Sequence, residues 1–145
     1  MEKSQLISKG LRTHISKEGT LFLSGRTDAT NEVLMAQIKP NEIILHTEMA
    51  GSPFVNIKGE PKEGDLEEAA IMCARYSRDY KKNQGNTDVH YFLGRDTHKA
   101  KSMKTGTFGV RSAKNILVRV EEIQAFEANP AKKGQLMELQ KQGVI

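Results

Sequence analysis

The chain has 145 residues, enough for one domain with a core that buries roughly two-thirds of its unfolded surface, and that core is expected to be aliphatic because aromatics are only 6% and Trp is absent. A single cysteine, Cys73, excludes an intramolecular disulfide and the multi-cysteine zinc patterns, and suits a reducing cytosol. The formal net charge is +4, no apolar run approaches the ~18 residues of a membrane span, and MEKSQLISKG at the start lacks the apolar segment of a signal peptide, so a soluble cytoplasmic protein is expected.

Residues 11–16 alternate apolar and polar, and residues 20–24 form a second apolar run across the turn Lys17-Glu18-Gly19, which predicts a β-hairpin. Gly25 ends the second strand, and Thr27 or Asp28 can cap a helix reaching about Ile38, with Leu34, Met35 and Ile38 inward. Pro40-Asn41 breaks it. Residues 42–46 have a nearly continuous apolar centre, the mark of a central strand. Met49 to Pro53 is a tight connection to a further strand from Phe54 to Lys58, followed by a polar Gly/Pro-rich loop to Gly64. Asp65 to about Tyr80 reads as the clearest helix, with Asp65 as N-cap, Glu68 as its partner, and a small-residue stripe of Leu66, Ala69, Ala70, Cys73, Ala74 and Ser77. Val89–Leu93, Thr107–Val110 and Asn115–Val120 read as strands, separated by a basic irregular stretch from Lys99 to Lys104 and a turn over 111–114. Beyond Glu121 the patterning weakens, Pro130 interrupts it, and a short helix from Lys132 to Gln140 is expected. The order predicts an α+β fold, a mostly antiparallel sheet with two main helices and a short C-terminal helical tail.

Charge is unevenly spread. Residues 1–74 balance at −3, residues 75–119 at +8 and residues 120–145 at −1. Such a concentration fits either a polyanion-binding face or a solvated lysine-rich surface. Arg26 precedes a capped helix, where it can hold phosphate or pair with a carboxylate such as Glu48. His46 closes the central strand, and its open roles are proton transfer, metal binding, base stacking and a structural hydrogen bond. The histidines show no metal-ligand spacing, and no P-loop, dinucleotide fingerprint or nucleophile elbow is present, so neither a metal site nor a cofactor is expected. Cys73 lies on the inward stripe and reads as inert packing. A nuclease-like carboxylate pair can be drawn only from Glu42 and Glu48, with no third ligand in register.

Gly25-Arg26, Asn31-Glu32-x-Leu34, Pro40-Asn41-Glu42-Ile43-x-x-His46, Gly51-Ser52, Glu68-Ala69-Ala70 and Ala74-x-Tyr76-Ser77 follow one another in the order of the NFACT-R domain, also classed as a domain of unknown function. Val89-x-Tyr91, His98-Lys99 and Lys104-x-Gly106-Thr107-Phe108 continue it, so the chain resembles that family over about residues 12–120. It departs from the family's habit at Ile44, usually aromatic, at Pro53, often His, and at Glu42, often Asp. The resemblance implies an RNA-binding domain of ribosome-quality-control factors, occurring here alone, with rRNA or tRNA and the large ribosomal subunit as partners. Combined with the strand-end positions and the basic third, it points to Arg26, Asn31, His46, Ser52, Lys99, Lys101, Lys104 and Arg111 as RNA-binding residues. No catalytic residue is expected. Residues 1–120 are expected to form the RNA-binding domain, and residues 121–145 a tail that packs on it or docks a partner. The alternatives are a protein-interaction adaptor acting through that tail and a metal-dependent nuclease.

Overall fold

The computed structural model describes Ile7 and residues 10–145, so most of the N-terminal decapeptide lies outside the described residues. Strands β1 (Arg12–Ile15) and β2 (Leu21–Ser24) form the hairpin, with Gly19 at φ 86° in its turn. Helix α1 (Asp28–Ala36) follows, capped by the Thr27 hydroxyl, which accepts from the Thr30 amide. Next come β3 (Ile43–Thr47), β4 (Val55–Ile57), α2 (Asp65–Tyr76), α3 (Arg78–Asn83) and the long β5 (Thr87–Leu93). A 3-10 turn at Gly94–Asp96 opens a small ribbon of β6 (Thr97–His98) and β7 (Gly109–Val110). Strand β8 (Lys114–Val118) and helices α4 (Val120–Ala125) and α5 (Lys133–Lys141) complete the order. The main sheet runs β1-β2-β4-β3-β5-β8 with every neighbouring pair antiparallel, so the fold is α+β.

Side chains alternate across a strand, so each side of the sheet carries its own apolar layer. Phe22, Leu45, Val55, Ile57, Val89 and Val118 face α2, whose Ala69, Ala70, Cys73 and Ala74 let the helix approach closely. Leu21, Leu23, Ile44 and Phe92 face the opposite way, against Leu34 of α1, Leu136 of α5 and Ile145. The apolar run of β3 is explained by its position between β4 and β5, where both faces are covered.

The segment after α4 runs along the free edge of β1. Ile15 donates its amide to the Asn129 carbonyl at 2.8 Å, and Ala131 donates to the Thr13 hydroxyl at 2.9 Å. His14 accepts at Nδ1 from the Asn129 amide and meets Glu68 at 2.6 Å through Nε2, which makes Nε2 the protonated nitrogen. An exposed edge strand invites pairing with other chains, and this segment satisfies part of that edge.

Four local expectations change. The helix expected from Asp65 to Tyr80 is two helices, because Ser77 ends the first and starts the second: its hydroxyl donates to the Ala74 carbonyl and accepts from the Tyr80 amide. Asp65 is not the N-cap. Gly64 at φ 88° holds that place, and the buried Asp65 carboxylate instead accepts the hydroxyls of Ser16 and Thr20. Helix α1 ends at Ala36 rather than Ile38, where the Gln37 side chain donates to the Leu34 carbonyl. The strand expected over 107–110 shortens to β7, which pairs with β6 and stays outside the main sheet.

Candidate nucleic-acid interface

The sheet face that carries α1 leaves a cleft of about 370 Å³ uncovered beside the end of β3. His46, His90 and Phe92 supply its floor, since His46 pairs with His90 across β3 and β5 and Phe92 lies two residues further on the same face. Phe54 and the segment 106–110 supply its walls. The rings form a continuous series. His46 stacks on Phe54 at 4.1 Å with 18° between planes, and Phe108 meets Phe54 edge-on at 5.8 Å. The Lys99 ammonium sits 4.7 Å from the Phe108 centroid.

His46 is held by one firm bond, its Nε2–H donating to the Ser52 carbonyl at 2.8 Å. Burial lowers its pKa below the ordinary imidazole value despite that bond, so the ring is neutral near pH 7 and offers an aromatic face rather than a charge. The segment 49–52 that positions it is pinned from α3. Asp79 accepts the Met49 amide and the Ser52 hydroxyl, and the Arg78 amide donates to the Ser52 hydroxyl. Gly51, at φ 84°, lies under the Arg78 guanidinium, and its left-handed backbone is one that a residue with a Cβ rarely adopts.

The eight residues expected to touch RNA separate into five groups. Asn31 and Ser52 are fully buried and correct the expectation of direct contact: Asn31 accepts the Phe54 amide at 3.2 Å and donates to the Ser52 carbonyl at 3.4 Å, so both residues shape the cleft from behind. Lys99 is consumed internally. Its ammonium pairs with Glu32 of α1 at 2.6 Å and donates to the Lys104 and Thr107 carbonyls. Glu32 also accepts the Gly106 amide, and these hydrogen bonds, that from Lys99 foremost, hold its carboxyl below the usual range. Lys99 therefore latches the loop 99–107 to α1 instead of reaching outward. Lys101, Lys104 and Arg111 are exposed, without an ion pair among the described residues, and stand before and after the cleft wall 106–110 along the chain. His46 lies in the cleft itself, whereas Arg26 does not line it.

Arg26 belongs to a group that sequence reasoning missed. It lies just past the end of β2, and its charge acts on Arg12, which with Arg75 meets Tyr76 of α2. The alternation of Arg12 with His14 was the available signal, but it had no partner until the fold brought α2 alongside.

The alternative chemistry loses its parts. Glu42 is buried against Lys58 at 2.8 Å and also accepts the Lys39 and Gly59 amides, so it cannot join exposed Glu48 at a metal. Burial pushes the Cys73 thiol pKa far up, which keeps it protonated and poorly nucleophilic.

Comparison with known proteins bears on this surface. The family model for the NFACT protein RNA binding domain matches residues 11–112. An Archaeal Rqc2 homolog, aRqcH of Methanocaldococcus jannaschii, is 28% identical over 105 residues, covering 67% of this chain and 16% of that protein. The C-terminal part of the fibronectin/fibrinogen-binding protein of Streptococcus suis superposes with a TM-score of 0.70 over 82% of this chain and 49% of that one, at 19% identity, a likeness of fold. The chain thus spans under half the length of either relative. With the family match covering both hairpin and cleft, this chain belongs to the NFACT-R family, the NFACT protein RNA binding domain.

Proposed function

We propose that this domain binds structured RNA without transforming it, in a translation or ribosome-quality-control setting, and that rRNA or tRNA on the large ribosomal subunit is its partner. One observation carries the reading: an apolar, ring-lined cleft at a strand end has as its wall the segment 106–110, and the chain on either side of that wall bears exposed Lys101, Lys104 and Arg111, whose charges no ion pair among the described residues neutralises. The unpaired cations suit phosphate oxygens, while the neutral His46 and the Phe108 ring suit the face of an unstacked base or a ribose. Family membership and the name of the archaeal relative support the same direction.

The test is RNA affinity against salt. With a purified tRNA as probe, log K against log[salt] should slope at about −3 to −4 if some four phosphates are neutralised in duplex regions. Changing Lys101, Lys104 and Arg111 together to Ala should flatten that slope by about 2–3 and leave thermal unfolding nearly unaltered. A wild-type slope near zero would defeat the electrostatic reading.

A further inference from the structure

Opposite the cleft, at the same end of the sheet, two guanidinium groups gather around one ring and a third cation, Arg26, lies near enough to act on Arg12. Arg12 lies with its Cζ 3.6 Å above the Tyr76 centroid, and Arg75, in the last turn of α2, has its Cζ at 5.6 Å. Phe126 meets Tyr76 edge-on at 6.1 Å and steadies the ring from another direction. Arg26 is two residues beyond Ser24, the partner of Arg12 in the β1–β2 hairpin. No carboxylate pairs with any of the three arginines among the described residues.

Such an arrangement is costly in an empty protein. Arg12 Nη1 is closed off from solvent and has no acceptor among the described residues. A buried, unpaired donor is unfavourable, and like charges nearby add to the cost. Burial first, and then the neighbouring Arg26 and Arg75 cations, lower the Arg12 pKa against the opposing effect of Tyr76. An anion seated between the guanidiniums would cancel the repulsion. Stacking occupies only the face of the Arg12 group, which leaves its edge N–H fork for a two-pronged contact with phosphate.

We propose that Arg12, Arg26 and Arg75, steadied by Tyr76, form a second phosphate site that holds a phosphodiester of the bound RNA on the sheet face opposite the cleft. The assignment rests on the RNA-binding reading above and adds a separate contact to it. RNA engaging both sites passes around the end of the sheet, so the two contribute independently to the salt dependence.

Two measurements on the full chain test the site. The first titrates protein carrying 15N-labelled arginine with inorganic pyrophosphate. The Nε–H signals of Arg12, Arg26 and Arg75 are expected to shift together and to saturate, and no common shift would overturn the site. The second compares tRNA binding by wild type, an Arg26→Gln/Arg75→Gln double variant at two exposed positions, and Arg12→Gln. The double variant is expected to bind about tenfold or more weakly with a salt slope reduced by about 1. Arg12→Gln is expected to weaken binding by more than its loss of stacking on Tyr76 lowers the melting temperature, because it also removes a guanidinium donor that the free protein leaves unsatisfied. Wild-type affinity and slope in the double variant would sink this site while leaving the cleft reading intact, and so would Arg12→Gln with a lowered melting temperature and unchanged affinity. Absence of tRNA binding by the wild type would sink both.

Discussion

Asn31→Ala separates positioning from contact at the cleft. In the native domain the Asn31 carbonyl oxygen takes the Phe54 amide at 3.2 Å, and its amide group reaches the Ser52 carbonyl at 3.4 Å, with the side chain almost wholly out of water. The Ser52 carbonyl keeps its bond from His46, so its loss is small. The Phe54 amide has no replacement, and an orphaned buried N–H costs about 1–3 kcal/mol. Unfolding entropy near 2.1 cal/mol/K per residue gives ~0.3 kcal/mol/K for a chain of this size, so the melting temperature should fall by ~3–10 °C. Calorimetry or circular dichroism measures the fall, and fluorescence anisotropy with a labelled tRNA at 20 °C measures binding by the folded variant. The expected outcome is a clear loss of stability with affinity within about threefold of wild type and an unchanged salt slope. Native melting together with a tenfold loss of affinity would mean that Asn31 reaches the RNA, which refutes its buried placement.

Lys58→Met takes away the partner charge of the buried Glu42 carboxylate and should cost about 3–5 kcal/mol in denaturant unfolding. His46 gives the domain an acid sensitivity: its folded pKa lies below the unfolded value near 6.5, so the unfolded chain takes up the proton first. Stability should therefore hold above about pH 6.5, decline as pH falls through that value, and level off once the folded ring is also protonated; His46→Phe should remove this component of the pH–stability curve. We propose further that residues 121–145 belong to the fold rather than serve as a free docking tail. Leu136 is buried against the α1-side core, so Leu136→Ala should cost about 2–5 kcal/mol, and truncation at Asn129 should lower the melting temperature sharply. A truncated chain that melts like wild type would reverse that proposal.

Local pattern made much of the fold readable. Alternation and Gly19 mark the hairpin, the apolar run of β3 marks the centre of the sheet, and Thr27 marks the start of α1. Long-range pairing was not readable. Asp65 looks like a helix cap in sequence because its hydroxyl partners, Ser16 and Thr20, are more than forty residues away. Ser77 fits a small-residue helical stripe as well as it fits a cap, and only its bonds to Ala74 and Tyr80 decide between them. The same limit shaped the site. Lys99 counts as a free cation in sequence and is matched by Glu32 in the fold, whereas Arg12 and Arg75 carried no sign that they meet at Tyr76. Charge counting located the basic third, but it could not tell which of its cations the protein had already neutralised.

The central claim, that the ring-lined cleft and its unpaired cations form the RNA-facing surface, is tested most directly by ultraviolet crosslinking. Purified protein would be irradiated with a tRNA, digested, and the nucleotide-bearing peptides identified by mass spectrometry. Adducts are expected on peptides within residues 99–113, with Phe108 as the principal aromatic site, and they should diminish in the Lys101/Lys104/Arg111→Ala variant. Adducts confined to α4, α5 and the outer edge of β8, with none on the cleft wall, would contradict the account.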